Sequence, residues 1–224
     1  MPVTSPALRG VARAAPIMLG YLPIGLAFGV LARGAGLSVA AVCGMSVLLY
    51  AGSAQFLTAG MLAGGAGFLP ITVAVFFINL RHFLMSAALA PRLRRFGPGR
   101  LAVFAHELTD ESFAVHSAGF AGASQPPFTE LVALNAAAQL AWVASTAAGA
   151  AAGNLLPDPA ALGLDFALPA MFLGLLAGQA RDGRRVLAAV TAAVLAVAGA
   201  LVLPGNWNVI IAAAAAAGVG AMMR

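Results

Sequence analysis

Lysine is absent from this 224-residue chain, charged residues of any kind make up only 8% of it, and there is a single cysteine. Each scarcity excludes something. Soluble domains carry about 25% charged residues, so a chain that is 62% hydrophobic has too little polar surface to face water on all sides. The lone Cys43 rules out an internal disulfide and a multi-cysteine metal centre; it sits in an apolar run and reads as a buried structural thiol. Without lysine, the basic side is 12 arginines against 7 acids, a net charge of +5. Most of these arginines flank or separate apolar runs, which reads as topology signal and not as a nucleic-acid footprint, since no basic stripe lies on a polar face. A nucleophile elbow, an HExxH pair and a P-loop are all missing, so the sequence offers no enzyme active site, no use of ATP by the chain itself, and no cofactor. Abundant Ala and Gly together with the missing lysine fit a GC-rich bacterial genome.

What is present is apolar length. Seven long runs cover roughly 16–33, 38–62, 69–90, 130–153, 166–180, 186–203 and 207–223, and a span needs about 20 residues. The expected fold is therefore an all-α integral membrane protein of about seven transmembrane helices. It forms a single transmembrane domain over 1–224: a tail at 1–15, three spans in 16–90, a cytoplasmic loop and polar helix in 91–129, and four spans in 130–223. Arg9 and Arg13 precede the first run as in a signal peptide, but that run is long, contains Pro23 and Gly25 and lacks a cleavage region, so it reads as a retained span. The stretch 101–118 is helix-like but carries His106, Glu107, Asp110, Glu111 and His116, too polar to face lipid. It is expected to be a re-entrant or interfacial helix that returns to its own side.

The arginines set orientation. The loops 91–100 and 181–185 hold Arg92, Arg94, Arg95, Arg100 and Arg181, Arg184, Arg185, and the positive-inside rule makes both cytoplasmic. Three spans before the first of these loops put the N-terminus outside, against the pull of Arg9 and Arg13. A faint echo between Leu22-Pro23 and Leu168-Pro169, each opening a Gly-containing helix, suggests a three-plus-one-plus-three internal repeat of the kind transporters use.

A charge at membrane depth costs at least about 2.5 kcal/mol and marks a cavity or a partner. Arg81 lies inside the run 69–90 beside Asn79 and His82. It reads either as a structural arginine snorkelling to helix-end carbonyls or as a bidentate ligand for a carboxylate. His106 and Asp110 are four apart, as are Glu107 and Glu111; on one helix the two glutamates repel, so in a low-dielectric site one takes a proton or an arginine. That is a component of a proton relay, or else the cluster is a solvated interfacial helix. No spacing is specific for a metal. The segment Tyr50-Ala51-Gly52-Ser53-Ala54-Gln55-Phe56 places Gly and Ser deep in an apolar run, where a broken helix frees backbone groups for a ligand or polar side chains simply join helices. Asn135 and Gln139 line the same cavity or bond a neighbouring helix.

Leu22-Pro23-Ile24-Gly25-Leu26-Ala27-Phe28-Gly29, the YAGSAQF at 50–56, the NLRHFLMSAAL at 79–89 and the LTDESFAV at 108–115 together resemble the AzlC-type branched-chain amino acid permeases, in order and spacing, over about 16–180. The resemblance implies the large subunit of a two-component secondary transporter in the bacterial inner membrane, exporting leucine, isoleucine, valine and also methionine or toxic analogues. It implies a small AzlD-type membrane subunit as partner and the proton motive force as driver. The matching polar positions are Tyr50, Ser53, Gln55, Asn79, Arg81, His82, Thr109, Asp110 and Glu111. The expected substrate-binding set is Arg81, Asn79, Ser53, Gln55, Tyr50 and Gly52, and the expected proton-coupling set is Asp110, Glu111, Glu107, His82 and His106. The rival readings are a non-transporting scaffold subunit and a transporter of another small amphipathic solute.

Overall fold

A computed structural model describes residues 5–120, 125–153, 182–202 and 207–222, with isolated residues between 163 and 177. All regular elements among them are helices: α1 (Pro6–Gly34), α2 (Val39–Leu48), α3 (Gly52–Ala63), α4 (Phe68–Leu93), α5 (Pro98–His106), α6 (Asp110–Gly119), α7 (Phe128–Ala152), α8 (Gly183–Ala200) and α9 (Trp207–Met222). The chain divides into two compact units, 1–168 and 169–224. Four of the described helices, α1, α4, α7 and α8, are long and apolar enough to cross a membrane.

The first unit is built on α1 and α7, whose facing residues are small. Gly10 lies against the backbone of Glu130 and Leu134, Gly25 against Ser145, Gly29 against Thr146 and Ala150, and Gly153 against Arg33. The contacts climb both helices together, so α1 and α7 are parallel. Small residues four apart let two backbones touch where lipid gives no hydrophobic drive for association. A Cβ on Gly29 would lie 2.5 Å from the Ala150 nitrogen and 2.7 Å from the Gly149 carbonyl carbon, with backbone on every side. Gly29→Leu is therefore expected to cost about 1–3 kcal/mol of stability, read as a lower melting point of the detergent-solubilised protein; an unchanged melting point would show that the seam can open.

The run 38–62, which reads as one span, is two half-length helices. α2 descends 10 residues from the end where α1 finishes, about 15 Å and thus half the hydrocarbon thickness. The chain then turns at Tyr50, a non-glycine residue with φ of 40°. α3 climbs back: Gln55 Nε2 donates to Ser46 Oγ of α2 at 3.0 Å, and Phe56 meets Phe28 of α1 edge-on. After a tight turn with Gly65 at φ of 75°, where a side chain would be strained, α4 runs antiparallel to α3 for 26 residues. It ends among Leu89, Leu93, Phe104, Leu108, Phe120 and Leu131, a cluster at the N-terminal end of α7.

The stretch 101–118, which reads as one helix, is two that double back. α5 rises from a Gly97-Pro98 start, and the helix breaks because Thr109 opens a new one. Its side chain accepts from Ser112 N while the Ser112 side chain reaches back to the cap, with Asp110 and Glu111 in the first turn; this is a strong start signal. α6 then descends to the basic end, where Arg13 Nη2 donates to Val115 O at 2.9 Å and Arg92 Nη1 to Phe120 O at 2.6 Å. Cations on the last carbonyls of a helix satisfy both the orphan acceptors and the dipole.

Two helical hairpins thus approach from opposite ends of this unit, and their tips meet at Arg81 of α4. Between the N-terminus and the arginine-rich loop, two of the described helices, α1 and α4, are long and apolar enough to cross, where the apolar runs suggest three spans. Arg9, Arg13 and the loop arginines consequently lie at one end, which removes the orientation conflict that three spans create. The first helix also begins at Pro6, inside the expected tail. α1–α2–α3 and α4–α5–α6 repeat one order, a long helix followed by a hairpin, running in opposite directions. The echo at 168–178, the run 166–180 and the loop 154–165 fall largely outside the described residues.

In the second unit, α8 and α9 pack on each other. Ala212 and Ala216 are buried, and one turn further a Cβ on Gly220 would touch Ala188, again a stripe of small residues.

Candidate functional site

The site lies where the two hairpin tips meet. Arg81, just past the middle of α4, joins them: Nη1 is 2.6 Å from Asp110 Oδ2, and Nη2 donates to Ser53 Oγ. Ser53 is in the first turn of α3 and Asp110 is the first residue of α6. From α1, Tyr21 Oη donates to Glu111 Oε2 at 2.7 Å and lies 2.9 Å from Thr109 Oγ1. Each long helix therefore reaches the hairpin of the other half.

The two tips differ. α6 caps its own N-terminus with Thr109 and Ser112 and adds two carboxylates. α3 starts at Ala51 with no side-chain cap, so its first amide groups are available to an anion. Behind α3 the packing is rigid: Trp142 Nε1 donates to Gln55 Oε1 at 2.9 Å, Thr146 Oγ1 to Ser46 Oγ at 2.9 Å, and Trp142 packs against Tyr21 and Phe28. Gln139 Nε2 donates to Val47 O at 3.1 Å, satisfying a carbonyl of the last turn of α2.

Several buried polar atoms here have no hydrogen-bond partner among the described residues: Tyr50 Oη, Asn79 Oδ1, Arg81 Nε, His82 Nε2 and Glu107 Oε2. Leaving such groups unpaired costs about 1–3 kcal/mol each, so they call for a polar ligand or water.

Residues 16–156 match the family described as AzlC protein. The chain belongs to the AzlC family. A protein of Archaeoglobus fulgidus described as an uncharacterized membrane protein is 34% identical over 212 residues, covering 92% of this chain and 90% of its own. The inner membrane protein YgaZ of Escherichia coli is 31% identical over 75% of this chain and 71% of its own. The branched-chain amino acid transport protein AzlC of Bacillus subtilis is 27% identical over 93% of this chain and 82% of its own. No solved structure matches. The chain is thus a membrane protein of a transport-associated family, and branched-chain amino acids stand in the name of the Bacillus relative.

In this AzlC-family chain the structure brings Arg81, Ser53, Asp110 and Glu111 to the meeting point of the tips. Tyr50, Asn79, His82 and Glu107 are buried or half-buried with unpaired atoms, and Gly52 opens α3. Two expected residues are elsewhere. Gln55 is fully buried and spent on Ser46 and Trp142, a tie holding the tip. His106 is exposed at the end of α5, and the break after it removes the helical pairings His106–Asp110 and Glu107–Glu111. Sequence reasoning missed Tyr21, whose signal was a lone tyrosine one residue before Leu22-Pro23, and gave His116 no role. Asn135 bonds a neighbouring element, His116.

Proposed function

We propose that this AzlC-family chain is the large subunit of a two-component secondary transporter that exports leucine, isoleucine and valine, with methionine in range, using protons as the coupling ion. Arg81 is the observation that carries the reading: a cation at membrane depth that joins two opposed half-helix tips amid unpaired polar atoms. A transporter site at a discontinuity of helices presents amides to a carboxylate. The uncapped start of α3, with Arg81, suits the carboxylate of an amino acid. The acid-rich start of α6, with Asp110, Glu111 and Glu107, suits its ammonium group or the coupling proton. Asn79, Tyr50 and Ser53 complete the polar wall, and apolar helix faces receive the branched side chain. The Bacillus relative carries branched-chain amino acid transport in its name.

In this reading the arginine-rich end is cytoplasmic by the positive-inside rule, so α5–α6 opens from the cytoplasm and α2–α3 from outside. A small AzlD-type membrane subunit completes the complex. The test is flux of labelled L-leucine in proteoliposomes holding this chain and that subunit. Leucine movement above protein-free vesicles, accelerated by an imposed pH gradient, is expected; no leucine movement with or without the gradient overturns the proposal in favour of a scaffold.

A further inference from the structure

A second set of buried polar groups lies between the tips and the basic end. Thr109, Ser112 and His116 stand three and four residues apart on one face of α6, with exposures of 7%, 0% and 1%. That face meets Tyr21 of α1 and the fully buried Asn135 of α7. Helix packing in lipid does not need such residues, and burying them is costly unless they are bonded.

Their hydroxyl oxygens form a connected series. Glu111 Oε2 accepts from Tyr21 Oη at 2.7 Å. With its proton committed there, Tyr21 Oη accepts from Thr109 Oγ1, 2.9 Å away. Thr109 Oγ1 faces Ser112 Oγ at 3.4 Å, and the Ser112 hydroxyl, which donates to Thr109 O at 3.3 Å, turns to Thr109 Oγ1 when it passes a proton on. One turn further, His116 Nε2 is 2.7 Å from Asn135 Oδ1. An amide oxygen only accepts, so the neutral ring carries its proton on Nε2 and offers Nδ1 as an acceptor. His116 Nδ1 and Asn135 Nδ2, one acceptor and one donor, are both buried without a partner among the described residues. A buried water satisfies such a set. Beyond it, Arg13 bonds Val115 O and Glu130, and Arg9 on the same glutamate reaches the surface.

We propose that Glu111, Tyr21, Thr109, Ser112 and a water held by His116 and Asn135 form the path along which protons travel between the tip site and the basic end. The inference rests on the proton-coupled reading above. A proton arriving at the water lets the water give one to Ser112; Ser112 gives its own to Thr109, Thr109 to Tyr21, and Tyr21 to the Glu111 carboxylate. Each hydroxyl ends with the proton count it began with, and only Glu111 changes charge. The charged and titratable groups around His116 are Arg13 of α1, Glu130 of α7 and Arg92 of α4, which holds Phe120 O; α5 presents the ring of Phe104.

The experiment uses the chain with its small partner subunit in proteoliposomes and L-leucine as probe. Two rates are read: net leucine flux under a pH gradient with an entrapped pH dye, and leucine counterflow, which exchanges labelled for unlabelled leucine without net proton movement. Ser112→Ala and His116→Gln are each expected to lower proton-linked net flux about 10²-fold while counterflow stays at the wild-type rate. His116→Gln leaves the Thr109–Ser112 cap intact and serves where Ser112→Ala does not fold. Wild-type proton flux in the variants, or equal losses of net flux and counterflow, overturns the path. A wild-type protein with no leucine flux at all overturns the transport reading and the path with it.

Discussion

Arg81→Ala raises the KM for leucine about 10²-fold or more, the scale set by removing a charged ligand from a buried polar contact, about 2–5 kcal/mol. Arg81 is the only cation that links the two tips among the described residues. Without it, a carboxylate arriving at the uncapped start of α3 has amide groups but no counter-charge. Arg81→Lys does not restore transport, because one ammonium cannot reproduce a planar fork that addresses Ser53 and Asp110 from two nitrogens. A stability artefact is separable. Arg81→Ala leaves Asp110 unpaired at depth, and Arg81→Ala with Asp110→Ala removes that orphan charge. The double variant regains thermal stability and still fails to transport. Wild-type KM in Arg81→Ala would make the arginine structural.

Asp110→Asn moves the KM in the opposite direction. In the empty protein Asp110 occupies the guanidinium at 2.6 Å, so an incoming carboxylate competes with it. Charge-assisted hydrogen bonds contribute about 1.5–3 kcal/mol, which makes the expected fall in KM about 10-fold or more. The kcat falls as well, since the group that would reclaim Arg81 and release the substrate has lost its charge. Opposite KM shifts in Arg81→Ala and Asp110→Asn are the signature of exchange at a shared arginine; parallel shifts would show that Asp110 binds the ammonium group or holds Arg81 in place and does not compete for it.

Much of this site is visible in the sequence for a definite reason. Charges are so few that Arg81 and the acids of 107–111 stand out at once, and Tyr50-Ala51-Gly52-Ser53 breaks an apolar run visibly. The pattern does not tell whether a broken run continues or turns back, because hydropathy has no sign for direction. Reading 38–62 as one span is what set Arg9 and Arg13 against the loop arginines, and the turn at Tyr50 reconciles them. The break at 107–109 was legible: Thr109-Asp110-Glu111-Ser112 is a helix start, and reading through it produced the false pairings of His106 with Asp110 and Glu107 with Glu111. Tyr21 and His116 carry no local signal. Their partners are 88 and 90 residues away for Tyr21 and 19 for His116, and only the third dimension brings them together.

The parallel seam of α1 and α7 has a consequence for how the chain is made. α1 leaves the ribosome first, and its partner emerges only after everything between Gly34 and Phe128 has been synthesised. During that interval Gly10, Gly25 and Gly29 have no partner helix, and α2 and α3 lack the ties from Gln139, Trp142 and Thr146. Helices of 9 to 12 residues are too short to stay across a bilayer alone. The hairpins therefore settle last, when α7 arrives, and the site is assembled in one late step instead of being inherited from early insertion.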